Sequence, residues 1–173
     1  MNARLKRFTI IAMIAALYTA VSLALAPITY GNIQVRVAEA LTLLPIIYTP
    51  AIWGVTLGCA LTNLIGAMMG INVLGFMDVF VGTFATFLAA ICTYKLRKIE
   101  FMGLPLLAAS MPVIFNALII GLELTVVFYP AASFMMGYLI SGFEVGLGEL
   151  VSCFILGIPL IKVLSKTKIF KEN

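Results

Sequence analysis

The sequence predicts an all-α integral membrane protein: a compact bundle of six transmembrane helices with both termini in the cytoplasm. Three observations predict it. The 173 residues are 63% hydrophobic and 10% charged, with a mean hydropathy of +1.16. A soluble domain of this size is near half apolar, so lipid must be the solvent for much of this surface. Second, Ala40 to Met77 and Phe101 to Leu122 carry no charge at all, and about 20 apolar residues suffice to cross a bilayer. Third, ten of the eleven Lys and Arg residues fall in three clusters. These are Arg4/Lys6/Arg7, Lys95/Arg97/Lys98 and Lys162/Lys166/Lys168/Lys171. Cytoplasmic loops carry the Lys/Arg excess, and only six crossings put all three clusters on one side.

The first span is read over 8–28. Basic residues, an apolar run and Ala24-Leu25-Ala26 mimic a secretory signal, but Pro27 follows the cleavage point and the run is long, so the span is expected to be retained. The second, 35–48, is short: at ~1.5 Å per residue it covers about 20 Å of a roughly 30 Å core, and Pro45 and Pro50 break its end. A re-entrant segment is the alternative, but the charge distribution argues for a crossing. The remaining spans are 50–70, 77–95, 102–128 and 131–164. They leave outer loops near 29–34, 71–76 and 129–130, none with a basic residue. Without linkers, repeats or low-complexity stretches, 1–173 reads as a single transmembrane domain.

Ala12, Ala16, Ala20 and Ala24 recur every four residues, a small-residue ridge along one face of the first span. Such ridges admit close helix approach in lipid, either within this bundle or from another membrane protein.

Charges near the bilayer centre are unfavourable by at least ~2.5 kcal/mol and therefore pair, face a cavity or mark a pathway. Arg36 and Glu39, at i and i+3, can pair at the outer start of the second span. Asp78 opens the fourth span, where it can cap the helix or line a site. Asn63 lies mid-membrane and can bond a neighbouring helix. Asn116 and Glu123 are seven residues apart and so share a face of the fifth span. Glu144 and Glu149 in the sixth lie about 140° apart on an ideal helix, so one pocket takes both only if the helix distorts. Gly142, Gly146 and Gly148 around them permit that. Several carboxylates against one cation suggest a site for a solute rich in hydrogen-bond donors, since a carboxylate accepts two parallel N–H bonds.

Cys59, Cys92 and Cys153 stand apart without metal spacing, and there is no His; they read as small buried hydrophobes. No G-x-x-x-x-G-K-[ST] phosphate loop is present, so ATP would have to be used by another chain. No nucleophile–base pair or dinucleotide fingerprint argues for an enzyme. The basic residues form no stripe beside aromatics, so no nucleic acid is expected as a partner.

The run Gln34-Val35-Arg36-Val37-Ala38-Glu39-Ala40-Leu41-Thr42-Leu43-Leu44-Pro45 resembles the signature of the QueT family. The likeness continues through Gly58-Cys59, Asn63-Leu64, Asp78 to Thr86, Asn116 to Leu124, Gly146 to Leu150 and Gly157 to Leu160. Trp53 and Thr56 depart from the usual apolar residues, and Glu144 lies outside the motif, which weakens it as a general binding residue. The resemblance implies the substrate-binding S component of an energy-coupling-factor (ECF) transporter in a prokaryotic cell membrane. It implies a six-helix S component whose Ala12/Ala16/Ala20/Ala24 ridge docks on the transmembrane coupling subunit EcfT. It further implies two cytoplasmic EcfA-type ATPases, no cofactor on this chain, and capture of queuine or a related 7-deazaguanine from outside. Candidate solute contacts are Arg36, Glu39, Asn63, Asp78, Asn116, Glu123, Glu144 and Glu149, placed by depth and chemistry. Two alternatives stay open: an S component for another vitamin-like solute, or a standalone proton-coupled carrier using Glu149 or Glu144.

Overall fold

The computed structural model describes residues 2–29, 35–167 and 170. Tyr30 to Gln34 of the first expected outer loop, and Lys168 and Lys171 of the third basic cluster, lie outside the described residues. The elements are α1 (Ala3–Ala24), α2 (Ala26–Thr29), a 3-10 helix (Val37–Ile46), α3 (Ala51–Met68), α4 (Met77–Leu96), α5 (Leu106–Phe128), a turn of 3-10 helix (Ala131–Ser133), α6 (Phe134–Leu150), a π-helical segment (Val151–Gly157) and α7 (Ile158–Leu164). Among the described residues the only strand-type pairing is a bridge between Phe101 and Leu104. Among the described residues, five helical stretches are long and apolar enough to cross a membrane: Arg4–Ala24, Ala51–Met68, Met77–Leu96, Leu106–Phe128 and Ala131–Leu164.

Side-chain pairings fix the directions of these elements. Ile14 meets Gly54 and Tyr18 meets Gly58, so α1 and α3 are parallel. Asn63 meets Asp78 and Cys59 meets Thr86, so α3 and α4 are antiparallel. Thr93 bonds Ala108, and Asn116 bonds Glu149 while Gly121 abuts Gly142, so α4, α5 and α6 alternate. The start of α1, the end of α4 and the end of α7 therefore share one end of the bundle, and with them Arg4/Lys6/Arg7, Lys95/Arg97/Lys98 and Lys162/Lys166.

The second span differs from the α-helix expected over 35–48. It is a ten-residue 3-10 helix, and every residue from Ala38 to Pro45 is buried. Its start lies beside Asp78 at the far end of the bundle, and Ile46 packs with Leu104 and Leu106 near the basic end. The 3-10 rise of about 2.0 Å carries its ten residues over about 20 Å, so the segment stays shorter than a roughly 30 Å core. Enclosure on all sides explains the lack of an apolar stripe. Pro45 lies inside this helix and contributes no backbone N–H to it.

The last span also changes geometry. Seven residues after Leu150 wind as a π-helix, a form uncommon beyond one turn and often found at functional sites. Here Cys153 and Gly157 face the 3-10 helix; a Cβ on Gly157 would stand 2.7 Å from Leu43 Cδ1. A Cβ on Gly121 would stand 2.7 Å from Gly142 Cα, so α5 and α6 cross backbone to backbone, and their register follows from that contact. The fifth span begins later than the expected 102, because Phe101 to Leu104 form a turn and Pro105 precedes the helix.

Candidate functional site

The buried polar residues gather from the middle of the bundle toward the end opposite the basic clusters. Asp78 is fully buried in the first turn of α4. It makes no cap; its Oδ2 instead accepts from Arg36 Nη2 at 3.2 Å and from Asn72 Nδ2 at 2.9 Å. The Arg36–Asp78 ion pair differs from the Arg36–Glu39 pairing that the i, i+3 spacing suggests. Arg36 precedes the 3-10 helix with φ −83° and ψ 86°, so its side chain leaves the helical face on which Glu39 sits. Glu39 is turned to α1, where its Oε1 accepts a hydrogen bond from the Tyr18 hydroxyl.

Asn63 forms the interhelical bond open to it: its Nδ2 donates to the Asp78 carbonyl at 2.9 Å. Gly82 makes room for this cluster. A Cβ there would lie 2.1 Å from Asp78 Oδ1 and 2.7 Å from Asn63 Nδ2, so any larger residue would drive the carboxylate from its place.

Asn116 and Glu123 are both 2% exposed, as their shared face requires. Asn116 Nδ2 donates to Glu149 Oε1 at 2.8 Å. Glu149 lies two residues before the π segment, whose Cys153 thiol lies 3.8 Å from both Glu149 Oε2 and the Glu39 carbonyl. The π segment thus places Cys153 between the α6 carboxylate and the 3-10 helix. Glu144 points elsewhere: it is half-buried, while Glu149 is 1% exposed. The α-helical geometry separates the two as the sequence spacing implies, and the distortion comes after them.

Four buried carboxylates therefore stand with one buried guanidinium. Glu123 is within electrostatic reach of Asp78 and Arg36, and Glu149 of Glu39 and Arg36, so these groups form one neighbourhood. Four of their oxygens, Glu39 Oε2, Asp78 Oδ1 and both of Glu123, are buried without a hydrogen-bond partner among the described residues, as is Thr83 Oγ1. Leaving a buried acceptor unsatisfied costs about 1–3 kcal/mol, more when charged. Such a set is suited to a ligand that brings several N–H donors. Five residues at ~1.5 Å each put Glu123 only about 8 Å from the end of α5 at Phe128, the end away from the basic clusters.

Sequence reading missed Tyr18, Asn72 and Gly82. Tyr18 was accessible in principle, because Ile14, Tyr18 and Ser22 mark the inward face of α1 at four-residue spacing. Asn72 gave no signal, since only the fold carries its loop back over Asp78. The alanine ridge is on the opposite side of α1: Ala12, Ala16, Ala20 and Ala24 are all exposed. It is not used for packing inside the bundle.

A family model described as QueT transporter matches residues 8–166. No curated protein and no solved structure gives a significant match to the chain. The match spans nearly all of the sequence, so the chain belongs to the QueT transporter family.

Proposed function

We propose that this member of the QueT transporter family is the S component of an ECF-type importer and captures a queuosine precursor, queuine or a related 7-deazaguanine. Glu123 carries this reading. Its carboxylate is buried, has two oxygens without a hydrogen-bond partner among the described residues, and lies near the end of the bundle away from the basic clusters. A guanine-like edge presents two parallel N–H donors, which a carboxylate accepts as a bidentate pair. Glu39 Oε2 and Asp78 Oδ1 would receive further donors or an aminomethyl cation, while Arg36 balances Asp78 when no solute is present. Asn116, held by Glu149, positions that carboxylate below the solute; Asn63 does the same for α4 through the Asp78 carbonyl.

In this reading the chain is one multi-pass transmembrane domain in a prokaryotic plasma membrane, with both termini and all basic clusters cytoplasmic. The 3-10 helix counts as the sixth crossing. The exposed Ala12/Ala16/Ala20/Ala24 ridge docks on the coupling subunit EcfT, and two EcfA-type ATPases supply the energy. The chain itself binds no cofactor and catalyses no reaction. Titration calorimetry of the purified protein with queuine, its aminomethyl and cyano precursors and guanine tests the substrate. Saturable binding of a deazaguanine supports it; binding of an unrelated vitamin alone removes it. Uptake in liposomes driven by a pH gradient without partner subunits would replace the importer with a proton-coupled carrier.

A further inference from the structure

We propose that the turn between α4 and α5 is a built membrane-surface anchor, inserting Phe101 and Met102 into an anionic lipid leaflet. Met102 is 88% exposed, the most exposed of the large hydrophobic residues, with Phe101 at 65% and Ile99 at 52%. Exposure along a membrane-spanning helix needs no comment, but these residues lie beyond the helix ends. They sit at the basic end of the bundle, between two crossings, where the headgroups begin.

The turn is rigid and its tip is chosen against local preference. Phe101 N–H donates to the Leu104 carbonyl at 2.9 Å and Leu104 N–H to the Phe101 carbonyl at 3.0 Å. Met102 and Gly103 between them have φ +53° and +74°, the two left-handed positions of a type I′ turn. Asn or Gly is favoured at the first of these; a Met is strained there. Strain held at an exposed apolar tip points to a use for that side chain. The flanking residues match an anionic surface. Lys95 and Lys98 are exposed, and Arg97 donates to the Tyr94 carbonyl at 2.9 Å with its guanidinium 3.8 Å from the Tyr94 ring. Aromatic rings at headgroup depth and basic residues beside apolar ones are the ordinary elements of interfacial binding. Glu100, the one acid beside the turn, lines a cavity of about 190 Å³ together with Lys162. Since both ends of the turn are fixed at the bilayer, lipid covers the tip without any further protein.

Met102→Trp in a Trp53→Phe background gives a single reporter, because the chain has one Trp. In nanodiscs containing phosphatidylglycerol, its emission should be blue-shifted and quenched by brominated acyl chains rather than by aqueous iodide. Phe101→Trp repeats the reading at a position without left-handed strain. Iodide access at both positions would overturn the proposal, and would leave the tip to an acidic protein partner. Replacing Lys95, Arg97 and Lys98 by Gln should lower the preference for anionic over zwitterionic lipid by about fivefold per charge, read from lipid exchange by native mass spectrometry. An unchanged preference would equally overturn it. Met102→Asn, which relieves the turn, should retain the fold while losing part of the membrane contact.

Discussion

Glu123→Gln separates a binding carboxylate from a structural one, because the two roles predict opposite effects on stability. The side chain is 2% exposed, and neither carboxylate oxygen has a partner among the described residues. An unsatisfied buried polar group costs about 1–3 kcal/mol, and more when charged. The amide has nearly the same volume and carries no charge, so the empty protein should gain about 1 kcal/mol or more from the change. Binding should move the other way. Hydrogen bonds to charged groups contribute about 1.5–3 kcal/mol each. The amide retains one acceptor and opposes the second N–H with its own NH₂, so losing one such bond weakens affinity by about tenfold to a hundredfold. Thermal unfolding in detergent micelles, with and without ligand, reads both terms on one sample, and calorimetry gives the affinity. A midpoint that rises without ligand, together with a smaller ligand-induced shift, is the expected result. A variant that unfolds more easily yet binds as before would refute the reasoning, because Glu123 would then have a structural partner.

Further changes probe the surrounding framework. Gly82→Ala should displace Asp78 and cost about 1–3 kcal/mol through overpacking, given the 2.1 Å approach of a Cβ to Asp78 Oδ1; an unaltered melting midpoint would show that the carboxylate has somewhere else to go. Tyr18→Phe removes the donor that holds Glu39 Oε1 and leaves a buried acceptor without its bond, which should destabilise by about 1–3 kcal/mol. Thermal unfolding measures it, and no change would remove Tyr18 from the network. Ala16→Leu fills the exposed ridge of α1 and should abolish co-purification with the coupling subunit while leaving solute affinity intact. Retained association would place docking on another face.

The parts of this architecture carried by periodicity were legible before the fold was known. The long spans were legible from apolar runs of membrane-crossing length, while the shared face of Asn116 and Glu123 and the divergence of Glu144 from Glu149 follow from 3.6-residue geometry. Partners across elements were not. Asn116 reaches Glu149 only because Gly121 and Gly142 bring two backbones into contact, and that register cannot be read from either helix alone. Arg36 finds Asp78 because its own backbone is not helical, which spacing rules assume. The short length and prolines of 35–48 marked that span as unusual, but neither its 3-10 winding nor the π segment could be read. One is apolar on every side, so it has no stripe to measure, and the other keeps the composition of an ordinary span.

Calorimetry of the purified wild-type protein against queuine, its aminomethyl and cyano precursors, guanine and a panel of vitamins tests the central claim most directly. The account predicts saturable binding of at least one deazaguanine that is weakened in the Glu123→Gln variant. Heat from another vitamin alone, with no response to any deazaguanine, would contradict it.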